Sequence, residues 1–256
     1  MRKSFFLLIV SSLLLFSCNN TKTASTEQEL TKAATKQPAR NMDHPDINNL
    51  APSAQDESKD LFTKAATLIG LENYSEGIVL ISQYLEKNPK DANAYFVRGF
   101  AEDQLKLYED AIKDFKQALD LNPNHTHAKM YKGHAHLMQK QFPNAIESFT
   151  RVIKDEEDNM LAYYNRGLAL SGIEKYKEAV TDFTSAIKLD TTYAPAYNNR
   201  GNANFMAGEG DAACRDWKKS IRLGNQASEA AYKHYCEGDK AKTPPQQPTT
   251  TSAIKK

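Results

Sequence analysis

No stretch of this 256-residue chain alternates polar and apolar residues over a useful length, so β-strands are not expected. A charge excess is missing too. The 33 basic side chains meet 32 acidic ones for a formal net charge of +1, and a near-neutral chain offers nucleic acid no electrostatic attraction. Zinc-protease, nucleophile-elbow and phosphate-loop patterns are all absent from the sequence. The glycine-rich fragment GEGDAA, from Gly208, joins two predicted helices where a dinucleotide site needs a preceding strand, so it reads as a turn. The acidic run KDEED, Lys154 to Asp158, lacks the alternating oxygen ligands and central glycine of a calcium loop. No catalytic residue, cofactor or metal site is therefore expected.

The apolar run Phe5 to Phe16 is too short to cross a hydrocarbon core. Arg2 and Lys3 precede it and Ser17-Cys18 follow at once, so residues 1–17 read as a secretory signal peptide. The stretch Leu15-Phe16-Ser17-Cys18 resembles the lipobox of bacterial lipoproteins, which implies acylation of Cys18 and a membrane tether. Asn19, where an Asp would favour the inner membrane, turns the resemblance toward the periplasmic side of the outer membrane. Removing residues 1–17 takes away two bases and no acid, and the formal charge goes from +1 to −1.

Cysteine is scarce, and three is an odd number for an exported chain. If Cys18 carries lipid, Cys214 and Cys236 remain as a pair. Helices flanking a turn at Gly224 place them ~15 Å and ~18 Å from it, level with one another in an antiparallel hairpin. A disulfide is the favoured reading over two buried thiols.

What the chain does contain is a period. Gly99, Gly133, Gly167 and Gly201 recur every 34 residues, with Ala65 one unit earlier. Ala111, Ala145, Ala179 and Ala213 form a second small column, with Gly77 before it, and Ile81, Phe115, Phe149, Phe183 and Trp217 a large one. Each unit holds two apolar stretches at helical spacing. Small residues facing bulky ones let two antiparallel helices approach closely. Asn88-Pro89 and Asn122-Pro123 stop the second helix, because the residue before proline is pushed out of the α region.

These columns resemble the tetratricopeptide repeat, and "AYFVRGFAEDQLKLYEDAIKDFKQALDLNPN", from Ala94, carries the pattern almost whole. The resemblance implies an all-α fold: a right-handed superhelical α-solenoid of about five helix pairs with a C-terminal capping helix. Residues 18–57 are expected to form a disordered leash from Cys18, 58–238 the solenoid with its cap, and 239–256 a disordered tail.

In such an array the first helices line a concave surface that holds extended peptides or a partner's helix. The positions two and three before each column glycine, and one after, give the expected lining. In the second and third units these are Phe96, Phe100, Met130, Tyr131 and His134, and in the fourth and fifth Tyr164, Asn165, Asn198, Asn199 and Asn202. Amides can grip a peptide backbone while aromatics and Met supply apolar pockets, so the expected partner is a protein or peptide.

Four histidines fall close together, His125, His127, His134 and His136. His127 and His134 share a helix face ~10 Å apart, too far for one metal ion without a ligand between them. Arg98, Arg166 and Arg200, with Lys132 as counterpart, directly precede the column glycines and suggest a stitch to acids on the neighbouring helix. The expected function is a lipid-anchored, non-enzymatic adaptor of a bacterial envelope. The alternatives are an assembly lipoprotein of the pilotin type, metal or ligand capture through the third unit, and a passive spacer.

Overall fold

The computed structural model describes residues 45–53 and 58–237. The expected signal peptide, Cys18 and the tail 239–256 lie outside the described residues. Eleven α-helices follow one another, with no strand among the described residues. They are α1 (Ser58–Gly70), α2 (Tyr74–Lys87), α3 (Ala92–Gln104), α4 (Tyr108–Leu121), α5 (Thr126–Met138) and α6 (Phe142–Asp155). Then come α7 (Met160–Gly172), α8 (Tyr176–Leu189), α9 (Ala194–Met206), α10 (Gly210–Arg222) and α11 (Glu229–Cys236). No helix among the described residues is long and apolar enough to cross a membrane.

Local chemistry sets the helix ends. Side chains of Asp91, His125 and Asn159 accept hydrogen bonds from first-turn N–H groups of α3, α5 and α7, satisfying donors that a helix leaves unpaired. The first helix of each unit ends through a left-handed residue at one fixed place in the period. Glu72, Lys106, Lys140 and Glu174 hold it with φ near 60°, and Gly208 does so in the fifth unit with φ 91°. The turn geometry thus overrides the ~1 kcal/mol that a side chain costs there.

Helices pair as α1/α2, α3/α4, α5/α6, α7/α8 and α9/α10, and each pair packs on the next. The glycine column explains the closeness. A Cβ on Gly133 would lie 2.7 Å from Phe149, one on Gly167 2.7 Å from Phe183, and one on Gly201 2.7 Å from Trp217. Those large rings are wholly buried. Gly167→Ala is expected to lower stability by about 1–2 kcal/mol in urea melts, since overpacking outweighs the gain in helix propensity. An unchanged midpoint would show that Phe183 swings aside freely.

A polar stitch recurs with the same period. Arg166 Nε and Nη2 donate to the two carboxylate oxygens of Asp182, each at 2.7 Å, and Nη1 reaches Thr150 at 3.1 Å. Arg98 binds Asp114 and Ser82 in the same way, and Arg200 binds Asp216 and Thr184. Each guanidinium also lies over a tyrosine ring three residues before it: Tyr95, Tyr163 or Tyr197. One arginine therefore ties its own helix to both second helices beside it. The third unit breaks the pattern, with Lys132, Ser148 and Lys116 at the matching places, and Lys129 pairs with Asp155 instead.

Two end structures close the array. Residues 45–53, expected to belong to a leash, instead pack on the first pair. Pro45 and Ile47 are buried, and a 3-10 turn spans Ile47–Asn49. The sequence read as too polar to fold because Ile47 and Leu50 are its only large aliphatic side chains and count only once α1 offers a face. At the far end α11 covers Phe205 and Trp217 through Ala231 and Tyr235. Cys214 on α10 is joined to Cys236 at its end by a disulfide, with Cα atoms 5.7 Å apart.

Candidate interaction groove

The first helices α1, α3, α5, α7 and α9 approach one another more closely than the second helices do, which puts them on the inner face of the array. Most of the residues expected to line that face are packed between helices, and Met130, Tyr131, Asn199 and Asn202 reach it only as cavity walls. Phe96, Phe100, Met130, Tyr131, Tyr164, Asn165, Asn198, Asn199 and Asn202 are all buried. The physical reason is the helical wheel: positions two and three before the glycine point sideways, toward the preceding and following first helices, and interdigitate there. Tyr131 sits edge-on to Phe96 at 5.8 Å and to Phe100 at 5.2 Å between ring centroids. Asn199 Nδ2 donates to the Tyr164 hydroxyl at 2.8 Å, and Asn198 Oδ1 accepts from Ser228 in the cap at 2.7 Å.

Asn165 is the exception among these amides. It is fully buried, and neither its Nδ2 nor its Oδ1 has a hydrogen-bond partner among the described residues. Its periodic counterparts are Thr63, Val97, Tyr131 and Asn199, and of these the amide of Asn199 is paired, with Tyr164. Asn165→Val is expected to raise the urea midpoint, with a gain on the order of 1 kcal/mol, because an unpaired buried amide is removed. A loss would show that the amide is satisfied.

Three of the four clustered histidines are engaged through Nδ1, while His127 is exposed. His134 Nδ1 meets Asp103 Oδ1 at 3.0 Å, His136 Nδ1 meets Gln141 Oε1 at 2.7 Å, and His125 Nδ1 caps α5. Among the described residues no group of three His, Cys, Asp or Glu side chains could hold a metal ion.

One carboxyl deserves a titration argument. Burial, aided by the nearby Asp114 charge, pushes the Glu102 carboxyl up to about 8. Three units along the chain, Asn204 takes its place and donates to Asp216 at 3.0 Å, showing that the site suits a neutral donor. The folded chain keeps a proton on Glu102 that the unfolded chain releases above about 4.5. Stability contributed below that pH is therefore lost as pH rises toward 8. Glu102→Gln is expected to flatten this fall and to add roughly 1–2 kcal/mol at pH 8–9, after allowance for solvent screening. Parallel slopes for both proteins between pH 5 and 9 would contradict it.

Two cavities remain open on the first-helix side. One, of about 320 Å³, lies between α7 and α9 and is walled by Phe142, Leu168, Tyr176, Phe205 and Met206. Asn202 also lines it, with its amide oriented by Trp217, whose Nε1 donates to Asn202 Oδ1 at 2.8 Å. The other, of about 490 Å³, lies where the loops between units meet the starts of α3, α5 and α7. Its walls are Asn93, Asn122, Asn124, His125, His127, Tyr131 and Asn159. Sequence reasoning missed most of this second lining. The signal was there, in polar residues at the helix starts, but the column glycines drew the eye to the helix middles.

A tetratricopeptide-repeat family model matches residues 92–125, and a second one matches residues 132–194. The chain carries a tetratricopeptide-repeat array. Among solved structures, MamA (41-end) from Desulfovibrio magneticus RS-1 is similar with a TM-score of 0.64 at 23% identity, covering 66% of this chain and 96% of that one. A second MamA crystal structure gives 0.62 at 20% identity over 67% of this chain and 94% of that one. At these identities the likeness shows the fold. No curated protein matches the sequence. The repeats support a protein-interaction scaffold, and among the described residues two cavities open on its first-helix side.

Proposed function

We propose that this protein is a non-enzymatic adaptor, tethered through acylated Cys18 to the periplasmic side of a bacterial outer membrane, which holds a partner protein on its inner face. One observation carries the binding half of this reading: with the helix-to-helix contacts satisfied, the first-helix side still presents cavities walled by aromatic, Met and amide groups. Such walls suit a peptide, because amides give and take hydrogen bonds at once and apolar rings accept side chains. The tether half rests on Arg2, Lys3, the run Phe5 to Phe16 and Leu15-Phe16-Ser17-Cys18.

The test must avoid the buried Tyr131, Asn165 and Asn199, whose loss would damage folding as well as binding. Crosslinked pull-downs from native membranes should compare wild type with a His127→Ala, Met206→Ala variant, which alters one residue in each cavity. The partner is expected to be lost while the melting temperature holds. An unchanged set of crosslinked proteins would reject the groove. Separately, Cys18→Ser is expected to move the protein from the membrane to the soluble fraction and abolish labelling by a palmitate analogue.

A further inference from the structure

Residues 45–53 pack on α1, with Asn48 beside Gly70 at the end of that helix. Two residues at the start of α3 bind main-chain groups of the segment 51–53. Asn93 Nδ2 donates to the Ala51 carbonyl at 2.7 Å, and the Ser53 N–H donates to Asp91 Oδ2 at 2.7 Å. Both contacts touch only main-chain groups of residues 51 and 53, so they do not depend on the side chains there.

Asp91 is the residue that caps α3, and Asn93 is the second residue of that helix. The 34-residue period puts His125 and His127 in the same two places on α5. Between them and Asn93 lies the 490 Å³ cavity, so it begins at the residue where the contact with 45–53 ends. His125 is only 7% exposed, and its Nδ1 accepts from the Ala128 N–H, which leaves the proton of the neutral ring on Nε2. That Nε2 is buried and has no partner among the described residues. Burial, followed by the nearness of His127, holds His125 down to about 4, so the ring is neutral at pH 7. The lining holds no Lys or Arg, and its one carboxylate, Glu156, already accepts from Asn159 at 2.8 Å.

Resting on the groove reading above, we propose that this cavity binds an extended, uncharged peptide segment of a partner protein, laid beside Asn93 in line with residues 51–53 and held through its carbonyls by His125 and His127. The absence of a cation from the walls argues against an acidic or phosphorylated segment and against a free C-terminal carboxylate. Continuity with the segment already seated at Asn93 argues for an extended chain over a helix.

The test is selection of displayed random dodecapeptides on the full protein purified in detergent, followed by fluorescence polarisation with the selected peptides. Selected sequences are expected to lack Asp and Glu enrichment. His127→Ala, at an exposed position, should weaken binding at least about tenfold, whereas Met206→Ala in the other cavity should leave it unchanged. Enrichment of acidic peptides overturns the proposal. So does binding that ignores His127→Ala but is lost in Met206→Ala, a result that leaves the wider groove reading standing. Failure to select any peptide while membrane partners still crosslink overturns this proposal alone; failure of both overturns both.

Discussion

Arg166→Ala is expected to lower the unfolding free energy by about 3 kcal/mol in urea, because it strands the Asp182 carboxylate, whose side chain is only 5% exposed. The guanidinium supplies both hydrogen bonds to that carboxylate and a third to Thr150 on the preceding unit. Arg166→Lys should recover part of the loss and not all of it, since a lysine cannot form the planar fork. The informative control is Lys132→Ala. Lys132 stands in the same column but faces Ser148 in place of an aspartate, and burial lowers its pKa from the ordinary lysine value. That change is expected to stay within about 1 kcal/mol. Equal losses at the two positions would show that the column matters through packing of the aliphatic stems and not through the ion pair.

Removing the disulfide has the second large effect. Cys214 and Cys236 close a loop with a sequence separation of 22, for which chain-entropy reasoning gives about 3 kcal/mol. In a stacked array that loss falls mainly on the end unit, since each unit contacts only its neighbours. The end is also weakly held otherwise, because Ala231 is the one buried residue of α11. Trp217 is the single tryptophan, is wholly buried, and lies 6.1 Å from the Tyr235 ring across this junction. Cys236→Ser is expected to shift Trp217 emission to the red and open it to iodide, while amide protection in α3 to α8 stays high. Emission and quenching identical to wild type would mean that the cap stays seated without its covalent link.

Much of this architecture was legible because a repeat reports the same constraint several times over. A single glycine opposite a phenylalanine is ambiguous, but Gly99, Gly133, Gly167 and Gly201, each one period from the next, leave close helix packing as the common cause. The same repetition marked Arg98, Arg166 and Arg200 as structural, and their aspartate partners all lie sixteen residues on. The functional face was read less well. Phe96, Tyr131 and Asn199 have the chemistry of a binding surface, yet each is spent on the next helix in the stack. Polarity along a helix shows which side is not the core of its own pair. It does not show whether solvent or another pair lies there.

The sequence by itself determined the period, the helix pairs with their small-facing-large columns, the C-terminal cap and the arginine stitch, because these follow from contacts close in the chain, most of them repeated along it. Only the tertiary structure decided that residues 45–53 close the first unit and that the expected groove residues are buried. It also placed the open cavities at Asn93, His125 and His127 and between α7 and α9. The reason is the stacking: exposure of a first-helix residue depends on how closely the next unit approaches, a distance fixed by all the contacts between pairs together and written at no single position in the chain.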